Sequence, residues 1–251
     1  MIDRIIDEIP RFFTYYTLIF LLEAMGRTIA MTVVGCTVGY VLGFAIAVLR
    51  TTRSPLLWPL RVIGALYVEI FRRIPFLVIL FIVMFAIQAT GWRVSLLLVA
   101  IVSICVVATA FLSEIIRAGL ESVPKAQLEA ATTLNFGFAR TILFVVLPQS
   151  WKVILPPAFA FMVMFIKDTS LASQMGVVEL TFTGKVLMNR GFSPFLVYGV
   201  VLAGYFALSY PLSRLGGYLE KRLGAPRDRK ARKLLWQAPD SPGRDVLGRQ
   251  G

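Results

Sequence analysis

The chain of 251 residues is 57% hydrophobic and only 16% charged, with mean hydropathy +0.76, a balance that ordinary water-soluble domains do not reach. Its 26 Lys and Arg against 14 Asp and Glu give a net charge of +12, and these cations flank membrane-length apolar runs, which makes them topology signals rather than nucleic-acid ligands. The absence of histidine excludes zinc-protease motifs and His-based triads, and Cys36 and Cys105 sit inside apolar runs without the pattern of a disulfide framework or metal knuckle.

The N-terminus carries Asp3, Asp7 and Glu8 and lacks a basic leader and a small-residue cleavage site, so it does not read as a signal peptide. Ile2, Ile5, Ile6 and Ile9 recur at helical spacing until Pro10, which predicts a short interfacial helix that Pro10 stops. Segment 1–22 is assigned to this interfacial piece.

Five apolar runs follow, at 28–49, 63–89, 94–112, 142–166 and 195–215. Each is close to the roughly 20 residues that a bilayer core requires, and lipid leaves backbone groups no partner outside a helix or a closed barrel. The runs do not alternate, so a barrel is excluded. Gly35, Gly39 and Gly43 stand four apart in the first run, a small-residue groove read as packing within this chain in preference to a subunit contact. The first link holds Arg50, Arg53, Arg61, Arg72 and Arg73, and the tail from Arg214 is crowded with Lys and Arg. The positive-inside rule places both in the cytoplasm, which with five spans puts the N-terminus outside. The second run would be about 40 Å long as a helix, with a kink at Pro75.

Charges beside a span cost roughly 2.5–3.5 kcal/mol at a helix centre and require partners. Glu23 with Arg27, and Glu114 with Arg117, read as local helical pairs. Lys167, Asp168, Thr169 and Ser170 close the fourth run. They read equally as a local ion pair and as the border of a route for a zwitterionic solute.

Segment 121–148 is polar where its surroundings are not. Ser122 and Pro124 are helix-start signals, and Lys125-Ala-Gln-Leu-Glu-Ala-Ala131 is strongly helix-forming. Glu121 with Lys125, and Lys125 with Glu129, are spaced for i,i+4 pairs. Asn135 and Gly137 tolerate positive φ, so the helix is expected to end and turn there. A second helix from about 138 enters the fourth run, bent by Pro148. The product is a helix–turn–helix elbow on the cytoplasmic face, whose small residues and carboxylate suit a cleft in another protein.

These residues carry a family resemblance. Glu129-Ala130-Ala131, followed by Leu147-Pro148, resembles the EAA signature of the permease subunits of bacterial ABC importers, with Val145 for the usual Ile and Asn135 for the usual Gly. Tyr67-Val-Glu-Ile-Phe-Arg-Arg-Ile-Pro75 is similar to the Y-x-E-x-x-R-G-T-P stretch of the polar amino-acid permeases, with Arg73 and Ile74 replacing Gly-Thr. Ser113-Glu-Ile-Ile-Arg-Ala-Gly119 with Ser122-Val-Pro124, Leu147-Pro-Gln149, and Lys167-Asp-Thr-Ser-Leu171 resemble further elements of that group, in order, across about residues 21–223. The resemblance implies an all-α integral membrane protein of the transmembrane type-1 fold, with a permease domain at 23–218; the remainder, 219–251, rich in charge, Pro and Gly, reads as a basic, mobile cytoplasmic tail.

The same resemblance implies coupling to an ATPase through Glu129, Ala130, Ala131, Asn135, Gly137, Leu147 and Pro148, and a solute pathway near Lys167, Asp168, Thr169 and Ser170. The implied partners are an ABC ATPase dimer, a second permease copy or a sister permease, an extracytoplasmic binding protein and membrane lipid, with no nucleic acid. The chain contains no G-x-x-x-x-G-K-[ST], so ATP and Mg are expected on the ATPase, with no cofactor or metal held by this chain and no catalysis of its own. The implied cargo is a polar amino acid or a related zwitterion, opine-like or ectoine-like solutes included, and the implied location is the bacterial inner membrane. A stand-alone channel or carrier is the alternative; it shares the spans but gives the elbow no task.

Overall fold

The computed structural model describes residues 2–52 and 54–223, and every regular element among them is helical. In chain order these are α1 (Ile2–Phe12), α2 (Tyr15–Thr51), a 3-10 turn (Pro55–Leu57), α3 (Trp58–Phe71), α4 (Phe76–Ala89) and α5 (Leu96–Glu121). There follow α6 (Lys125–Thr133), α7 (Phe138–Thr141), a π turn (Ile142–Val146), α8 (Leu147–Asp168), a 3-10 stretch (Thr169–Met175), α9 (Leu180–Asn189) and α10 (Pro194–Leu223). The tail expected at 219–251 is helical through Leu223, as the end of α10, and its remainder lies outside the described residues.

The N-terminal boundary moves. α1 continues through Pro10 to Phe12, and α2 already begins at Tyr15, inside the segment read as interfacial. No proline lies between Tyr15 and the first apolar run, the single Gly26 is tolerated inside the helix, and Glu23 and Arg27 pair at 3.3 Å on an exposed face, so the backbone ladder continues. At 37 residues α2 is about 55 Å long, well beyond a bilayer core.

The centre of the molecule is the seam between α2 and α5. An added Cβ on Gly35 would lie 2.3 Å from Ile104 Cγ2, one on Gly39 would lie 2.5 Å from Ala108 Cβ, and one on Gly43 would lie 2.8 Å from Ser113 N. The glycines therefore serve packing within the chain, as the spacing suggested, and they let the two backbones meet. Residue numbers rise together along both helices, so α2 and α5 are parallel.

Parallel neighbours require the intervening chain to return across the bilayer, and α3 with α4 does so. The two helices are bent by 116° at the break between Phe71 and Phe76. At 14 residues each, about 21 Å, neither crosses a core of about 30 Å alone. α3 starts beside the C-terminal end of α2, where Gly64 faces Ile46 and Arg50, and α4 delivers the chain to the Gly91 turn ahead of α5. The expected kink at Pro75 is thus a full break: Arg73 N–H turns back onto Ile70 O, and Pro75 O accepts from Val78 and Ile79 to start α4.

α8 then runs antiparallel to α5, with Gly119 against Ile154 and Phe111 stacked on Phe161 at 5.3 Å. α10 returns along α8 and α9. Counting the broken pair once, the described residues hold five helical stretches long and apolar enough to cross a membrane.

Candidate functional site

The ends of α2 and α5 and the whole elbow gather at one end of the bundle. α6 is short, and its termination is built by backbone geometry. Asn135 has φ +56, Asn135 N–H donates to Thr132 O at 2.9 Å, and Phe136 N–H donates to Ala131 O at 3.0 Å. This is a Schellman closure with Asn in the left-handed position that Gly usually fills. Among the described residues Asn135 is the only non-glycine with positive φ. Gly137 does something else: its φ of −69 is extended backbone at the start of α7, and it contributes no left-handed turn.

The start of α6 also differs from expectation. Ser122 closes α5, its hydroxyl donating to Gly119 O at 2.6 Å, and α6 begins after Pro124 with no side-chain cap. Glu121 pairs with Arg117 on α5 instead of Lys125.

The signature residues face different ways. Glu129 and Ala130 are exposed, whereas Ala131 is 3% exposed and faces the chain's own interior. Leu134 and Phe138 flank the turn as exposed apolar side chains, at 70% and 46%. α7 continues through the π turn into α8. The widened turn precedes Pro148, which has no N–H and whose ring would press on the carbonyl of Phe144 in a regular helix. Leu147 is half-buried and Pro148 exposed. Gln149 Nε2 donates to Val145 O at 2.8 Å and to Gln127 Oε1, which ties α8 to α6. A cleft of about 910 Å³ separates the elbow from the bundle, lined by Arg50, Glu121, Lys125, Glu129, Phe136 and Val146 among others.

The pair read as local, Glu114 with Arg117, is part of a larger cluster. Glu114 Oε2 accepts from Arg117 Nε at 3.2 Å and from Arg50 Nη1 at 3.0 Å, and Arg72 Nη1 lies 3.9 Å away. Three segments distant in sequence meet on one carboxylate, a convergence that spacing along one helix does not reveal.

At the opposite end, Lys167 is exposed, Asp168 and Ser170 are half-buried, and the buried Thr169 hydroxyl donates to Ile166 O at 2.6 Å. None of these four lines the apolar cavity of about 240 Å³ between α2, α5 and α8, whose walls include Cys36, Tyr40, Leu112 and Met162. The sequence reading missed Glu179. It is fully buried ahead of α9, accepting from Tyr205 O–H at 2.6 Å and Phe182 N–H at 2.8 Å. Burial pushes its carboxyl above the usual carboxylate range, against the opposing pull of those donors. Lys185, one turn along α9, donates to Ser173 at 3.2 Å.

Comparison with known proteins places this arrangement. Residues 39–225 match the family described as binding-protein-dependent transport system inner membrane component. The chain is 33% identical over 203 residues to the probable glutamine ABC transporter permease protein GlnM of Bacillus subtilis, covering 80% of this chain and 92% of that one. It is 32% identical over 230 residues to the octopine transport system permease protein OccM of Rhizobium meliloti, covering 88% and 92%. The crystal structure of an amino acid ABC transporter with histidines superposes with TM-score 0.74 at 25% identity, over 81% of this chain and 94% of that one. An inward-facing MetNI methionine ABC transporter superposes with TM-score 0.73 at 22% identity, over 84% and 100%, a likeness of fold.

Proposed function

The chain belongs to the family of binding-protein-dependent transport system inner membrane components, and from that premise we propose that it is the permease of an ATP-driven importer for a polar amino acid or a related zwitterion. Support for the cargo comes from relatives named for glutamine and octopine and from the amino-acid transporter of the same fold. The observation that carries the mechanism is the elbow. α6, the Asn135 turn and α7 stand beyond the converging ends of α2 and α5 and expose Glu129, Ala130, Leu134 and Phe138.

In this reading an ATPase pair, which binds ATP and Mg, receives the elbow in a surface cleft. A second copy or a sister permease completes the pathway, and an extracytoplasmic binding protein supplies the solute. The basic ends of α2, α3 and α10 face the cytoplasm, as the positive-inside rule requires, and the N-terminus lies outside. Closure of the ATPases shifts the spans between two arrangements, each of which the partners bias by differential contact.

The test is reconstitution with the ATPase and binding protein in liposomes. Uptake of a labelled amino acid is expected to require ATP and the binding protein, and Glu129→Ala to lower both ATPase association and uptake. Transport by the purified chain alone without ATP would replace this reading with a stand-alone carrier.

A further inference from the structure

We propose that Glu114 is the positioning residue that links the elbow to the broken span, and that its contact with Arg72 is made and broken during transport. This rests on the ATP-driven permease reading. The two halves of the cluster differ in what holds them. Arg50 lies in the last turn of α2, and Arg117 lies on α5 one turn beyond Glu114; both donate to Glu114 at hydrogen-bond distance. These helices are joined along the glycine seam, where backbone meets backbone. Arg117 also pairs with Glu121, the last residue of α5 before the elbow. The carboxylate is thus fixed to the root of the elbow.

Arg72 belongs to the broken span, whose first half is tied to α5 by Tyr67 O–H donating to Val106 O at 2.7 Å. It caps α3 at the break where the path bends by 116°, a few residues able to absorb a large backbone change. Its guanidinium stands 3.9 Å from Glu114, beyond hydrogen-bond distance, and 5.6 Å over the Phe111 ring. Phe111 in turn stacks on Phe161 of α8. Arg72 therefore rests between an ionic and an aromatic partner. A small displacement of the elbow, carried by Arg117 and Glu114, shifts that choice and with it the angle between α3 and α4. Side-chain exposures of 22% for Glu114 and 18% for Arg50 keep these charges partly shielded from water, where screening by salt is weaker.

The experiment uses the reconstituted complex of permease, ATPase and binding protein. Its readouts are basal ATP hydrolysis, hydrolysis stimulated by the loaded binding protein, and uptake. Arg72→Gln leaves the Arg50–Glu114–Arg117 core in place. It is expected to keep basal hydrolysis and melting temperature while lowering the stimulated-to-basal ratio and uptake by roughly 5-fold to 150-fold, the usual range of coupling between sites. Arg73→Gln removes the neighbouring charge, which is paired with Glu69, and is expected to change neither. In a Glu114→Gln background, which has already lost the whole cluster, adding Arg72→Gln should cost no further coupling.

Equal behaviour of the Arg72 and Arg73 variants, or losses that multiply in the double variant, would overturn the proposal. Failure of the unsubstituted complex to show ATP-dependent uptake would remove the permease reading, and this proposal with it. Loss confined to the variants bears on the proposal alone.

Discussion

Asn135 shows how one side chain sets the exit of α6. A left-handed residue costs roughly 1–2 kcal/mol for an ordinary L-side chain, which Gly avoids and Asn partly offsets through local hydrogen bonding. Asn135→Gly should leave the melting temperature of the purified permease unchanged. Asn135→Val should lower its stability by about that amount and weaken capture of the ATPase in pull-downs. Gly137→Ala tests the opposite expectation: its backbone is extended and an added Cβ meets nothing within 4 Å, so stability should not fall. Ala130 and Ala131 divide in the same way. Ala131→Leu pushes into the chain's own packing and should lower the melting temperature, whereas Ala130→Leu, on the open face, should spare the fold and reduce ATPase capture. The left-handed turn was legible because few residues tolerate positive φ. The orientation of the two alanines was not, because helical spacing alone does not say which face meets the bundle.

At the scale of elements, the seam makes a sharp demand. A Cβ on Gly39 would sit 2.9 Å from the Ala108 carbonyl carbon, which no rotamer change relieves. Gly39→Val should remove most folded protein from size-exclusion profiles, while Gly26→Ala on the same helix, with open space around it, should behave as the parent. The glycine spacing was readable because close approach leaves a small-residue signature. The break at 72–75 was not, since a run in which Glu69, Arg72 and Arg73 precede a single proline is equally compatible with a mild kink at the membrane interface. What decides it is tertiary: Arg72 is drawn toward Glu114, and the parallel pairing of α2 with α5 dictates where α3 starts and α4 ends. Glu179 escaped notice for a related reason: Phe182 N–H is a local cap at the start of α9, but the Tyr205 hydroxyl that completes the site is brought to it by α10.

For the whole molecule, the five-crossing path assigns opposite sides to loops that the sequence leaves adjacent in character. Trp92, 75% exposed at the α4–α5 turn, and Leu134 on the elbow lie at opposite ends of the bundle. On the proposed orientation, which puts the basic ends in the cytoplasm, Trp92→Cys should react with an impermeant maleimide from outside intact cells, and Leu134→Cys only after the membrane is opened. Labelling of both from one side would break the five-crossing path.

The parallel seam also imposes an order of events during synthesis. α2 leaves the ribosome first, but its partner α5 follows only after residues 52–95 have been made, a delay of several seconds at roughly 5–20 residues per second. Throughout that interval the Gly35–Gly39–Gly43 face lies open in the bilayer, a surface suited to any neighbouring small-residue helix. A nascent chain arrested after α4 should therefore be the species most prone to pair with a second copy of itself. Accurate assembly depends on how promptly α5 arrives.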